Sequence, residues 1–410
     1  MKTIIRHGVS VLVFSLLLAL SLAGVGEFLD KTDVDEKYTQ FFEAETNFDV
    51  IFMGTSHTYN SILPQELWDR HGIASYNWGQ SNCTVPISYY VLQMLCEYTD
   101  PKLVVIDLYG LAEYAHIGNG KYRTDARDQQ RVQFDPFPPT KLKAEAVADI
   151  FDDYEDRWDF LFLLAIYHNR WTEISKDNFS PRDIPQKGAA FVLGVQPADY
   201  TEPETGTTYT LDFTVMEYLE KIIDWCRERD IGMLFTYLPF AAEEGCADTA
   251  AAFGEYFRDK PDCPYLNMLH LGIIDYRTDI YTDGSHLNYI GAAVVTDWLG
   301  AYLAQEYPAL VRTEDPAYAH WNTDYDKYVD YKRSRFRDDV YRDGVLHTDA
   351  LYDNLQLLYG DDFHGELTIP AAMAEQLRED ETTRNLIRRL GDRITVKEGE
   401  TYKFEIRSKS

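Results

Sequence analysis

Residues 48–57 read Phe48-Asp49-Val50-Ile51-Phe52-Met53-Gly54-Thr55-Ser56-His57. Apart from one Asp, the first six residues are apolar, which is typical of a strand that is buried on both faces of a parallel sheet. Gly54 ends the run, and Pro64 begins a predicted helix shortly afterwards. A buried strand followed by a helix is the repeating unit of α/β folds, so this stretch sets the expectation for the rest of the chain.

The same alternation of strands and helices continues on both sides of a long interruption. Further strands are predicted over residues 73–77, 103–107, 231–237 and 265–269, and further helices over 86–98, 213–229, 249–258 and 287–306. Alternation at this pace predicts an α/β fold in three layers. Its centre is a doubly wound, mainly parallel sheet with helices on both faces.

The interruption and the two ends of the chain divide it into regions. Residues 48–310 form the predicted main domain, and residues 111–211 form an insertion with one helical segment at 141–168. Residues 27–47 are a linker, and residues 311–410 are a C-terminal appendage rich in Asp, Arg and Tyr. Alternating apolar residues at 393–396 and 402–406 flank a turn with Gly399 and predict a terminal hairpin.

The N-terminus carries a segment that suits a membrane rather than a globular core. Residues 8–26 contain no charged side chain, and they are preceded by Lys2 and Arg6 and followed by Glu27 and Asp30. Nineteen helical residues cover about 28 Å, which is close to the thickness of a hydrocarbon core. The segment is a signal anchor or, with small residues near Ala23, a cleaved signal peptide. Either alternative exports the body of the protein.

Charge and cysteine content restrict the function further. The 410 residues include 39 Lys and Arg against 68 Asp and Glu, giving a net charge of −29. Nucleic acid is therefore excluded as a partner, because its phosphates are held by basic side chains. Five cysteines are too few for a disulfide scaffold. Cys246 and Cys263 are candidates for one disulfide, and the alternative is five buried thiols. No Cys or His spacing suggests zinc.

Unusual polar residues stand in three segments of the predicted main domain. Two of these segments follow the first and second strands, and the third precedes the last helix. The first strand leads into Ser56, and the second ends near Asn77 and Gly79, with Asn82 following. The segment Asp283-Gly284-Ser285-His286-Leu287-Asn288 stands just before the closing helix. In a parallel sheet these segments converge at the carboxyl edge, which is where such folds bind ligands.

A serine is a nucleophile at neutral pH only when a base accepts its proton and an acid orients that base. Asp283 and His286 are three residues apart, which allows a carboxylate to meet Nδ1 while Nε2 faces outward. His57 is expected to be a supporting or capping residue, because neighbouring side chains rarely aim at one point. The structural alternative is that Ser56 caps a helix and Asp283 belongs to an ordinary turn.

Together, the GTSH segment, the glycine after the second strand and the late DGSHLN segment resemble the SGNH/GDSL hydrolase superfamily. The resemblance implies Ser56 as nucleophile, His286 as general base and Asp283 as orienting acid. It also implies oxyanion donors at the Ser56 backbone N–H and Gly79, and no cofactor. The chain departs from the family pattern in lacking Gly-x-Asn-Asp after the third strand. Asn82, Asn77 and Tyr109 are therefore alternatives for the remaining donor.

The anchor together with these segments is similar to a membrane-anchored branch of that superfamily. This branch includes the teichoic acid D-alanine transfer protein and the alginate O-acetylation proteins. The resemblance implies a serine esterase or O-acyltransferase acting on an acylated carbohydrate of the cell envelope, with a membrane-bound O-acyltransferase as a partner. The alternative is a non-catalytic scaffold of the same fold that binds such an acyltransferase.

Two further clusters of polar residues are candidates for a binding site. Residues 167–171 are polar and aromatic, and they suit either a substrate cleft or the packing of an amphipathic helix. Asp279 and Asp283 lie in an acidic stretch that does not fit a calcium loop. A loop starting at Asp279 has Tyr281 at its third position and Ile290 at its twelfth. We therefore expect no metal site there.

Overall fold

The computed structural model describes residues 2–30, 41–42, 48–110, 127–151, 154–174, 185–194, 196, 200, 210–211, 213–242, 244–342, 345–346, 363–370, 394–400 and 403–408. Its central sheet consists of β1 (Val50–Gly54), β2 (Ser75–Gly79), β3 (Leu103–Asp107), β4 (Gly232–Tyr237) and β5 (Tyr265–Asn267). The strands are parallel and lie in the order β2-β1-β3-β4-β5, as in flavodoxin-type sheets. The predicted α/β class with a doubly wound parallel sheet is confirmed.

Helices cover both faces of this sheet. The helices within the described residues are α1 (Lys2–Asp30), α2 (Ser56–Ser61), α3 (Pro64–His71), α4 (Val85–Leu95), α5 (Arg127–Phe134), α6 (Lys141–Ile150), α7 (Tyr154–Leu161), α8 (Leu164–Tyr167), α9 (Phe213–Arg227), α10 (Glu244–Phe257), α11 (Tyr289–Glu306) and α12 (His320–Val340). Alternate strand residues enter two separate apolar cores. Ile51 and Met53 pack with α4, α9 and α10, while Val50 and Phe52 pack with α3 and α11.

The insertion contributes four short helices beside α4. Within it, the predicted helical segment 141–168 is broken into α6, α7 and α8. Its first break follows Ile150, where Phe151 adopts an extended conformation with φ −105° and ψ 122°. The Phe151 side chain is buried and stacks on Phe160, with 4.2 Å between the ring centroids. Tertiary packing of these aromatic rings accompanies the break that the helical pattern did not reveal.

The chain beyond residue 311 contains both packed and separate parts. The helix α12 packs on α3, and Trp321 at its start is fully buried in the main core near Trp68. Further on lie the short pair β6 (Tyr341–Arg342) and β7 (Val345–Leu346), then β8 (Phe363–Pro370), β9 (Ile394–Gly399) and β10 (Lys403–Ser408).

The predicted terminal hairpin is wrong, although both of its strands form. β9 and β10 each pair with β8, which lies between them, and not with one another. The physical reason is that alternation of apolar residues defines the two faces of a strand but not its neighbour. β8 offers a hydrogen-bonding edge on each side, and each terminal strand takes one edge.

The candidate disulfide between Cys246 and Cys263, one of the two alternatives that the sequence left open, is not formed. All five cysteines lie in described residues, and the structure contains no bond between any two of them. Four of the five are buried, and burial raises the pKa of Cys83 to about 12, so this thiol stays protonated. The alternative of buried thiols is the correct one.

Candidate active site

A glycine at the end of β1 forces the chain into a sharp turn before α2. Gly54 has a φ of +151°, and a Cβ atom there would come within 2.2 Å of Thr58 Oγ1 and 3.0 Å of Asp107 Cβ. Only glycine fits this conformation and this space. Thr55 caps α2 in an extended conformation, and Ser56 is therefore the first helical residue. The turn presents Ser56 half-buried at the carboxyl edge of the sheet.

Three side chains predicted from the sequence meet at this edge. His286 Nε2 lies 2.7 Å from Ser56 Oγ, and His286 Nδ1 lies 2.7 Å from Asp283 Oδ2. An ionised carboxylate only accepts hydrogen bonds, so Nδ1 carries the proton and Nε2 accepts from the serine hydroxyl. Residues that are 230 positions apart thus form one hydrogen-bonded chain from hydroxyl to carboxylate.

The Asp283 turn orients its own carboxylate. Asp283 Oδ1 accepts from the backbone N–H groups of Ser285 at 2.9 Å and His286 at 3.0 Å. Partial burial works in the opposite direction, but these hydrogen bonds and the imidazole lower the pKa of Asp283. The carboxylate is therefore ionised at neutral pH. Gly284, with φ +75°, takes the left-handed position that this tight turn requires.

Asn288, the last residue of the DGSHLN segment, holds the turn against its surroundings. Its side chain is fully buried and caps α11 by accepting from the N–H groups of Ile290 and Gly291. Its amide donates to the carbonyls of Gly194 and Thr278. The residue therefore joins α11, the insertion and the Asp283 turn at one point.

His57 is buried beside the hydrogen-bonded chain. Its ring centroid lies 3.9 Å from that of Tyr109, 4.6 Å from that of Phe240 and 4.7 Å from that of His286. Burial, assisted by His286, lowers the pKa of His57 to about 3, although Asp283 acts in the opposite direction. His57 is thus a neutral aromatic wall next to His286 and does not bond Ser56 Oγ.

Gly79, predicted as an oxyanion donor, already uses its N–H group in a hydrogen bond within the protein. Its backbone N–H donates to Asn77 Oδ1 at 3.0 Å, and the Asn77 amide donates to the carbonyls of Thr58 and Ile62. Both residues therefore fasten α2 to β2, and neither has a donor left for a substrate. The sequence could not reveal this, because the direction of the Asn77 side chain depends on where α2 lies.

The remaining predicted donors have different surroundings. No acceptor among the described residues takes the Ser56 backbone N–H, as expected for the first residue of a helix. Asn82 is half-buried with a left-handed φ of 50° in the turn after β2. Its neighbour Ser81 bonds Tyr59 of α2 through side-chain oxygens 3.0 Å apart. Tyr109 belongs to the aromatic cluster around His57.

Two features near the site, a buried carboxyl group and a segment of the insertion, were not predicted from the sequence. Asp107, at the end of β3, is fully buried and accepts from the Leu238 N–H at 3.0 Å. The end of the insertion passes between the site elements: Lys187 O accepts from Asn77 N, and Ala190 N donates to Tyr59 O. A buried carboxyl at a strand end was a usable signal for Asp107. The path of the insertion had no local signal.

The described part of the chain contains no group of three His, Cys, Asp or Glu side chains suited to a metal ion. Asp279 is buried and its carboxylate accepts from the Asp275 N–H at 2.8 Å and the Thr278 hydroxyl at 2.7 Å. Within the 167–171 cluster, Tyr167 is buried against Leu163 and Leu29 of α1. Of the two interpretations of that cluster, this arrangement corresponds to helix packing.

Known proteins do not assign a function to this chain. No family model matches the chain, and no curated protein matches it. Among solved structures, the chain is similar to a crystal structure of a "putative acylhydrolase" from Bacteroides fragilis. The two are 12% identical with a TM-score of 0.32, and the match covers 67% of this chain and 97% of that one. At these values the similarity carries no conclusion about function.

Proposed function

We propose that the protein is a serine-dependent enzyme that cleaves or transfers a small acyl ester. The observation that carries the proposal is the hydrogen-bonded chain from Ser56 through His286 to Asp283, with 2.7 Å at each link. A hydroxyl held against an imidazole whose other nitrogen bonds a carboxylate is the arrangement that activates a serine. The turn at Gly54 supports the same role, because it presents the hydroxyl at the sheet edge.

The reaction would proceed in two steps. In the first, Ser56 Oγ attacks the acyl carbonyl carbon while its proton passes to His286 Nε2. The ester C–O bond then breaks, and the imidazolium returns the proton to the leaving alkoxide. In the second step, a water or a sugar hydroxyl attacks the acyl carbon of the acyl-enzyme while His286 takes the proton of that acceptor. The bond from the acyl carbon to Ser56 Oγ then breaks, and the imidazolium returns the proton to Ser56 Oγ. Water as acceptor makes the protein an esterase, and a sugar hydroxyl makes it an O-acyltransferase.

The proposed substrate is an acylated carbohydrate of the cell envelope. The candidate membrane span at Arg6–Gly26 supports an extracytoplasmic location, as either an anchor or a signal. The net charge of −29 disfavours a polyanionic polymer and favours a neutral or sparsely charged glycan ester. A membrane-bound O-acyltransferase remains the proposed partner.

Labelling with a fluorophosphonate probe tests the nucleophile. The wild type should be labelled, Ser56→Ala should not, and Ser334→Ala on α12 should be labelled like the wild type. His286→Ala should lower hydrolysis of a small aryl acetate by about 10³-fold or more, as for triad members generally. Equal labelling of the wild type and Ser56→Ala would refute the nucleophile, and a loss below about tenfold for His286→Ala would refute the base.

One observation favours a second candidate, a non-catalytic scaffold of the same fold. The Gly79 N–H and the Asn77 amide are engaged within the protein, so the site has few donors for a developing oxyanion. A scaffold predicts that Ser56→Ala fully complements a deletion strain. For the enzyme, analysis of products from an acetylated polysaccharide, with and without an acceptor glycan, separates hydrolysis from transfer.

A further inference from the structure

Exposed tryptophan is confined to one region of the molecule. All seven tryptophans lie in described residues, and five of them are buried or half-buried. The other two, Trp158 and Trp171, are 53% and 68% exposed, and both belong to the insertion. Phe162 and Ile174 are also exposed there. We call Trp158, Phe162, Trp171 and Ile174 the aromatic rim.

The end of α1 packs on the segment that carries this rim. Leu29 of α1 is buried together with Leu163 and Tyr167, and the 3-10 turn Arg170–Thr172 also contacts α1. At Gly26, α1 approaches the insertion so closely that a Cβ atom on this residue would lie 2.8 Å from the backbone nitrogen of Leu164. The rim is therefore attached to the end of the candidate span.

The length of the span sets the level at which the rim lies. In the span Arg6–Gly26 the residues after His7 carry no charged side chain, the apolar stretch is not buried within the protein, and 21 helical residues cover about 31 Å. This length matches a hydrocarbon core, so Gly26 reaches the boundary between hydrocarbon and head groups. Tryptophan is enriched at that boundary, because its ring is apolar while its N–H remains polar.

We propose that the aromatic rim docks into the head-group region of the same bilayer that α1 spans, so that the body of the protein lies against the membrane. The occupant of this surface is lipid, whether or not the protein has the proposed enzymatic activity. Arg170 fits the same environment, since its guanidinium stacks 4.2 Å above the Tyr167 ring at the edge of the rim.

Buried contacts lead from Tyr167, in the segment that carries the rim, towards the candidate site. Tyr167 bonds the buried Asp135 carboxylate at 2.5 Å, and nearby Gln133 donates to Ser81 O at 2.7 Å. Ser81 in turn contacts Tyr59 of α2. Docking of the rim would therefore hold the carboxyl edge of the sheet in a defined position relative to the bilayer surface.

Quenching of tryptophan emission by brominated lipid tests the proposal. The full-length chain, with α1 confirmed intact by mass, is reconstituted into phosphatidylcholine and phosphatidylglycerol vesicles with and without brominated acyl chains. The first tryptophan in the sequence is Trp68, so α1 itself contributes no signal. We expect bromine-dependent quenching in the wild type and loss of at least half of it in the Trp158→Phe/Trp171→Phe variant.

A matched control is Trp298→Phe, whose ring is half-buried on α11 and stacks on Tyr302. It should keep the quenching of the wild type. Near-ultraviolet circular dichroism checks that the double variant is folded, which is expected because both replaced rings are exposed. Absence of quenching in the wild type, or equal quenching in the double variant, overturns the proposal. If the natural partner of the rim is another protein and not lipid, the wild type should show no quenching in pure lipid vesicles.

Discussion

Asp107 is a carboxyl group that the fold buries next to the turn that carries Ser56. It lies at the end of β3, accepts from the Leu238 N–H at 3.0 Å, and faces the Thr58 hydroxyl at 3.5 Å. Burial raises the pKa of Asp107 to about 7, although these hydrogen bonds act in the opposite direction. The group is therefore poised to change its charge near neutral pH.

This pKa predicts a dependence of stability on pH. The folded pKa is higher than the unfolded one, so the folded chain holds a proton that the unfolded chain releases between about pH 4 and pH 7. The free energy of unfolding should fall as pH rises through this window, by roughly 4 kcal/mol at most. Asp107→Asn should remove this part of the slope, as measured by urea unfolding of the full-length protein in detergent at several pH values.

The control for this measurement is Asp259→Asn, since Asp259 is exposed. Its unfolding free energy should differ from that of the wild type by the same amount at every pH. A constant difference between the wild type and Asp107→Asn from pH 5 to pH 8 would show that the Asp107 carboxyl does not titrate in this range.

At the residue scale, sequence patterns located the reactive groups but not their supports. Asp283 and His286 lie within one turn, so their spacing predicts that they meet. The meeting of Ser56 with His286, 230 residues away, was predicted from the parallel sheet, which brings its strand ends to one edge. The partners of Gly79 and His57 depend on α2 and on Phe240, which are brought close only by the tertiary fold. No local pattern encodes those contacts.

At the element scale, Gly79 allows β2 and α2 to approach closely. A Cβ atom at this position would lie 2.8 Å from Thr55 O and 2.8 Å from Tyr59 N, both in the backbone that carries Ser56. Backbone atoms cannot move aside as a flexible side chain does. Gly79→Ala should therefore displace α2, lower the rate of fluorophosphonate labelling at Ser56 about tenfold or more, and destabilise the fold by about 1–3 kcal/mol.

The matched control for this variant is Gly245→Ala on α10, because a Cβ atom there meets nothing within 4 Å. It should leave both activity and unfolding free energy near those of the wild type. Rates from fluorophosphonate labelling and unfolding curves for the two variants give the comparison. A Gly79→Ala protein with the rate of the wild type would mean that the spacing of β2 and α2 does not control Ser56.

Elements were predictable where burial alone defines them. The strands β1 and β3 are short, largely apolar runs that are buried throughout, and β3 has the bounds that its sequence indicates, Leu103–Asp107. Prediction failed where the partner of an element matters. β9 and β10 pair with β8 and not with each other, and α6 ends where Phe151 turns towards Phe160. The pairing of β9 and β10 with β8 and the end of α6 both depend on contacts between different segments of the folded chain. A pattern within one segment does not encode such contacts.

At the scale of the whole molecule, a buried ion pair joins the C-terminal region to the main domain. Lys332 of α12 bonds Glu66 of α3 at 2.5 Å, and Tyr289 of α11 bonds the same carboxylate at 2.7 Å. The Lys332 side chain is 10% exposed and that of Glu66 is 3% exposed. Three elements thus share one desolvated charge pair, which makes α12 part of the same packed body as the sheet.

Removal of one partner should therefore be costly. Lys332→Met leaves the buried Glu66 carboxylate with only Arg70, whose Nε lies 3.9 Å from Oε2, and we expect the free energy of unfolding to fall by up to about 3–5 kcal/mol. The Glu66→Gln/Lys332→Met double variant should recover much of this loss, because no charge is then left buried. Lys141→Met is the control, since the side chains of Lys141 and Glu145 are 90% and 54% exposed, and exposed pairs contribute about 0–1 kcal/mol. If Lys332→Met and Lys141→Met unfold at the same urea concentration, α12 does not stabilise the body through this pair.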